Sequence, residues 1–135
     1  MQYTRGNTFY LLGEITAEMV IEFLEFKGDS LFICSPGGPG GFMLAMLNHL
    51  NNRSKPQAIV SGQCLSAAVP ILAMCSPRIA EGHTQFQAHG AESKEDSVRN
   101  LWQALLLADN TCRPIEFWFE MVNDATRFSV TEALE

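Results

Sequence analysis

Three short stretches of the chain carry residue types and spacings that could do chemistry. The first is the loop Ser35-Pro36-Gly37-Gly38-Pro39-Gly40-Gly41, set between an apolar run and a segment of helical periodicity. Glycines there let the backbone approach a ligand and aim free N–H groups at it. A phosphate cradle is excluded: Phe42 follows the last glycine where a Walker loop needs lysine and Ser/Thr, and the G-x-G-x-x-G spacing is absent. Two readings remain, a carbonyl or oxyanion site built from backbone donors and a plain tight turn. The second stretch is Gly62-Gln63-Cys64-Leu65-Ser66-Ala67-Ala68, where Ser66 opens an apolar helix. A serine so placed leaves its own N–H and the next one unpaired, which suits a nucleophile whose tetrahedral intermediate is caught by main-chain donors. The plainer reading is an N-cap. It is not the G-x-S-x-G elbow, because three residues separate Gly62 from Ser66. The third stretch ends at His89, which shares one face of an alternating strand with Gln85 and Gln87. It is a candidate general base or a satisfied structural histidine, while His49 and His83 are read as solvated. No set of histidines and carboxylates has metal-ligand spacing, so neither a metal nor a cofactor is expected.

The elements that must position these residues follow from periodicity. Strands are expected over Thr8–Leu12, Ser30–Cys34, Gln57–Ser61 and Thr84–His89. Between them, Thr16 caps a helix whose Met19, Val20, Phe23 and Leu24 recur at helical spacing, and Phe42–Asn51 and Ser66–Cys75 form two more. A long amphipathic helix is expected over Glu92–Ala108, and Pro114 opens a last one. Alternation of this kind implies an α/β fold with parallel strands joined by helical crossovers.

At 135 residues there is room for a single domain over 1–135. Apolar residues make up 47% and charged ones 18%, which excludes disorder and falls below the ~25% charge of an ordinary soluble domain. So few charges point to self-association. Nine Lys+Arg against fifteen Asp+Glu give a net charge of −6, which argues against nucleic acid or an anionic membrane as partner. The longest apolar stretch, Ala67–Cys75, is too short to span a bilayer, and the polar start leaves no room for a secretory signal. Cys34, Cys64, Cys75 and Cys112 show no C-x-x-C pair, as expected of reduced thiols in an intracellular, cytoplasmic protein.

A glycine turn, then a helix-opening serine, then a strand-end histidine is an order that resembles the proteolytic subunit of the Clp protease. That family reads roughly S-P-G-G, G-x-A-A-S-M-G and I-H-Q-P; this chain reads Ser35-Pro36-Gly37-Gly38, Gly62-Gln63-Cys64-Leu65-Ser66-Ala67-Ala68 and Phe86-Gln87-Ala88-His89. Phe9-Tyr10-Leu11-Leu12-Gly13-Glu14-Ile15-Thr16 is similar to the family's first strand and turn. Arg127-Phe128-Ser129-Val130-Thr131-Glu132-Ala133-Leu134 is similar to its R-F-(M/L)-(S/T)-A-x-E-A run.

The resemblance implies a ClpP/crotonase-like superhelix of repeated β-β-α units with mostly parallel strands. It implies serine-type hydrolysis of unfolded polypeptide in a ring-shaped homo-oligomer, a heptamer by family habit, fed by an AAA+ Clp unfoldase. Ser66 would be the nucleophile, His89 the general base, and the N–H groups of Gly38 and Ala67 the oxyanion donors. The sequence departs from the pattern at the third triad residue. Depending on the alignment, Ala125 or Thr126 stands where the family has aspartate; Asp124 is the nearest carboxylate, with Asn123 next. Pro70 is expected to deprive the Ser66 carbonyl of its helical partner and kink the helix. The handle region, about 90–113, is expected to be short, and the axial-loop and C-terminal segments of the family have no counterpart in the 135 residues. A catalytically impaired ring subunit is the alternative. An acyl-CoA enzyme of crotonase type has no use for Ser66 with His89, and no lysine lies between Lys55 and Lys94 to serve a Ser–Lys dyad.

Overall fold

Residues 2–87 and 127–129 are described in the computed structural model. Their strands form one sheet in the order β1-β2-β3-β4-β6-β7, with β5 also paired to β4. The strands are β1 (Thr4–Arg5), β2 (Thr8–Leu12), β3 (Ser30–Ser35), β4 (Gln57–Leu65), β5 (Arg78–Ala80), β6 (Gln85–Gln87) and β7 (Arg127–Ser129). Pairing is parallel from β2 through β3 and β4 to β5 and β6, and antiparallel at the two ends, β1 with β2 and β6 with β7. The mostly parallel α/β architecture expected from the sequence is the observed one.

Alternation along the strands separates two faces. Phe9, Leu11, Leu31, Ile33, Ala58 and Val60 point inward and are buried. Three helices cover them: α1 (Ala17–Glu25), α2 (Gly40–Asn51) and α3 (Ala68–Ala73). α1 starts as its sequence requires, with the Thr16 side chain accepting the Met19 N–H at 3.3 Å. Its Phe23 meets Phe9 edge-on at 5.1 Å between ring centroids. The end of α1 is clamped by Arg53, which donates to the carbonyls of Phe26 and Gly28 and lies 5.6 Å over the Phe26 ring. α3 is buried at every position. The parallel strands β2 to β6 therefore deliver their C-terminal ends to one edge of the layer, where the crossover turns cluster.

Three elements escape the sequence reading. β1, β5 and β7 have two, three and three residues, too short to show alternation. β4 also runs four residues past the expected Ser61. Pro70 does not kink α3: it is the third residue of the helix, where a missing N–H costs nothing, and the Ser66 carbonyl accepts the Val69 N–H at 3.1 Å instead. The expected helix over 92–108, the handle, the helix at Pro114 and Cys112 lie outside the described residues.

Candidate active site

Ser66 owes its position to a bulge in β4. The β3–β4 register runs from Ile33↔Val60 to Ser35↔Cys64, so β4 accommodates two extra residues over that interval. Gly62 sits in the bulge at φ +85°, a conformation that favours glycine, with room for a Cβ limited by Cys34 Sγ at 3.1 Å. The bulge re-aims the strand. Residues 58–60 of β4 pair with β5, whereas residues 63–65 pair with β6, through Leu65↔Gln87 at the last rung. The isolated Gly62 between β-prone residues 57–60 and 64–65 was the available signal for this feature.

One residue further on, Ser66 adopts φ +56°, the sole non-glycine residue with positive φ among those described. Its N–H donates to the Gln87 carbonyl at 2.6 Å. This corrects the expectation that the N–H is unpaired, and it shows why the serine is not a simple N-cap: β6 extends its ladder to Ser66, and the chain must then turn sharply into α3. The Ser66 side chain is partly exposed, while the flanking Cys64 and Ala67 are buried.

The glycine loop is packed against this turn. A Cβ on Gly37, which has φ +98°, would stand 2.8 Å from the Leu65 carbonyl oxygen and from Ser66 Cβ, and 2.9 Å from the Ala67 nitrogen. Only glycine fits there. On its other side the loop is fastened to the turn after β2. Ser35 Oγ donates to the Gly13 carbonyl at 2.8 Å and accepts the Gly37 N–H at 3.0 Å, and the Gly37 carbonyl accepts the Ile15 N–H at 2.9 Å. Gly38 lies on Ile15, whose Cβ and carbonyl oxygen would both be 2.8 Å from an added Cβ. The N–H groups of Gly38 and Ala67 have no acceptor among the described residues.

A partly exposed serine in a turn that also carries two main-chain donors without an acceptor among the described residues is an arrangement compatible with attack on a carbonyl whose oxyanion those donors receive. The Cys64 and Cys75 thiols cannot take the nucleophile's role. Burial raises the Cys64 thiol far above its ordinary pKa and pushes Cys75 up to about 12, so neither forms a thiolate at neutral pH. His49 is not solvated as expected: its ring meets Phe23 edge-on at 5.4 Å, and its Nε2 is buried without a partner among the described residues. His83 is exposed. His89, Asp124 and Asn123 lie outside the described residues. Among the described residues no group of three His, Cys, Asp or Glu could hold a metal ion, and no helix is long and apolar enough to cross a membrane.

No protein-family model and no curated protein matches the sequence. Solved structures do. The ClpP protease catalytic domain from Plasmodium falciparum superposes with a TM-score of 0.82 at 23% identity, covering 94% of this chain and 79% of that one. ClpP1 from Listeria monocytogenes gives 0.83 at 19% identity, covering 94% and 85% respectively. The chain therefore has a ClpP-like fold, in agreement with the resemblance of its motifs.

Proposed function

We propose that the chain is a serine-type endopeptidase subunit that hydrolyses unfolded polypeptides or short peptides within a ring-shaped oligomer. One observation carries the reading: Ser66, held at φ +56°, is gripped between the Gly37 turn and the end of β6. Sequence proximity supports His89 as the base. His89 follows Gln87 by two residues, a reach of at most about 7 Å between Cα atoms, and Gln87 is the residue bonded to Ser66. β7 enters the sheet with Arg127 opposite Gln87, and Asp124 precedes Arg127 by three residues.

The chemistry runs as acyl transfer. His89 takes the Ser66 hydroxyl proton as Oγ adds to the scissile carbonyl, and the oxyanion is met by the Gly38 and Ala67 N–H groups. Collapse breaks the C–N bond, the amine leaves with the proton from His89, and water then hydrolyses the acyl ester by the same route. Asp124, or Asn123 in its place, orients the imidazole; only the carboxylate also stabilises its charged form. No metal or cofactor takes part in this scheme. The ring, heptameric by resemblance, and docking of an AAA+ Clp unfoldase belong to the same reading, as does a cytoplasmic location.

One feature favours the second reading, a catalytically impaired ring subunit: Ala125 and Thr126 occupy the positions that the resemblance gives to the aspartate. Turnover separates the two. Purified protein incubated with a denatured polypeptide and with fluorogenic peptides should cleave both, and Ser66→Ala and His89→Ala should each lose activity by several orders of magnitude. Cleavage that survives Ser66→Ala would refute the assignment, and absence of cleavage by an assembled wild-type ring would favour the impaired subunit.

A further inference from the structure

The geometry points to Ser35 as a positioning residue for the oxyanion donors, acting through Gly37; the inference rests on the peptidase reading of Ser66. Ser35 is completely buried, one of two buried polar residues among those described, and no step of the proposed chemistry uses it. Its hydroxyl both donates and accepts. The proton goes to the Gly13 carbonyl and a lone pair receives the Gly37 N–H. The β3–β4 register sets Ser35 beside Cys64, two residues before Ser66.

These bonds form an alternating zip between two turns. The Gly13 N–H donates to the Cys34 carbonyl at 2.9 Å, Ser35 Oγ bridges Gly13 to Gly37, and the Gly37 carbonyl closes on the Ile15 N–H. Ser35 is the one side chain in it, and every other group is main chain. Its hydroxyl takes the Gly37 N–H, and the next donor along, Gly38, has no acceptor among the described residues. The zip also holds Gly37 against Leu65, Ser66 and Ala67, so closely that an added Cβ would come within 3 Å of each. Loss of the hydroxyl would leave the buried Gly37 N–H short of its partner and cut the tie to the Gly13 carbonyl at the exposed turn after β2, and the loop would move to recover the lost bond. Any such movement changes the spacing of the Gly38 and Ala67 donors relative to Ser66 Oγ. A displacement near 1 Å in a site of this kind costs about 10²-fold in rate.

The test compares Ser35→Ala with wild type and with Phe26→Leu, a core substitution at the opposite end of the sheet. Three quantities are read on the full chain: kcat and KM for a fluorogenic peptide, affinity for a peptide boronate that forms a tetrahedral adduct on Ser66, and Tm. Ser35→Ala should lower kcat by about 10²-fold and weaken the boronate in parallel, with KM close to wild type. Phe26→Leu should lower Tm while leaving kcat and boronate affinity in place. If Ser35→Ala does not fold, Ser35→Cys should show the same selective loss in smaller degree, since a thiol is a weaker donor and acceptor of longer reach. Wild-type kcat and boronate affinity in a folded Ser35 variant would overturn the inference alone, as would losses that merely track Tm. Wild-type protein that neither turns over the peptide nor binds the boronate would overturn the peptidase reading and this inference with it.

Discussion

At the scale of single residues, Ser66 holds a left-handed conformation that costs a side-chain-bearing residue about 1–3 kcal/mol. The strain has a visible source in the bond from its N–H to Gln87 and the sharp entry into α3. Ser66→Gly should therefore raise the free energy of unfolding by about 1 kcal/mol while abolishing turnover. Ser66→Ala, which keeps a Cβ, should abolish turnover without that gain. Chemical denaturation of the three proteins reads the difference, and a Ser66→Gly protein less stable than Ser66→Ala would contradict the strain argument. Gly37→Ala should go the other way, losing at least about 1–3 kcal/mol, because its Cβ would collide with backbone and its φ is +98°. The motif letters were enough to single out Ser66, Gly38 and Ala67. They did not show that the Ser66 N–H is paired, because the partner comes from β6, twenty-one residues downstream.

At the scale of elements, the N-terminal strand is held to α1 by one carboxylate. Glu22 accepts the Gln2 N–H at 2.7 Å, the Tyr3 N–H at 2.8 Å and the Thr4 hydroxyl at 2.6 Å. Desolvation pushes its pKa up, but the bonds from Thr4, Gln2 and Tyr3 outweigh this and hold it below the ordinary value. A carboxyl depressed in the folded state contributes stability above its unfolded pKa and loses it as pH falls through the folded one. The loss should thus be confined to the acid side, from about pH 4.3 downward. Glu22→Gln should remove that pH dependence, and the same acid slope in the variant would show that other carboxylates carry it. α1 was legible from the helical spacing of Met19, Val20 and Phe23, and β2 and β3 as β-prone apolar runs bounded by turn residues. The Gly62 bulge was not read, since a glycine between Ser61 and Gln63 resembles a strand end unless the partner register is known. Pro70 misled for a related reason: its effect depends on where α3 begins, and Ser66 delays that start to Ala68.

At the scale of the whole molecule, several large apolar side chains remain open to solvent. Ile21 is 62% exposed and Leu24 47% on the outer side of α1, and Leu12 and Ile79 are each 50% exposed on the sheet. Together with a charged fraction of only 18%, this favours burial against further copies of the chain. A head-to-tail contact that closes on itself yields a ring. Native mass spectrometry should therefore find a discrete cyclic assembly, seven subunits by resemblance to the Clp protease. A stable monomer at micromolar concentration would contradict the ring. A robust double ring would contradict the expectation that a shortened handle over about 90–113 weakens stacking.

The most direct measurement is the site of covalent labelling by a fluorophosphonate, read by peptide mapping of the native protein. The account predicts a phosphonyl group on Ser66, lost in both Ser66→Ala and His89→Ala. Label mapped to another residue, or label on Ser66 that persists at full rate in His89→Ala, would contradict it.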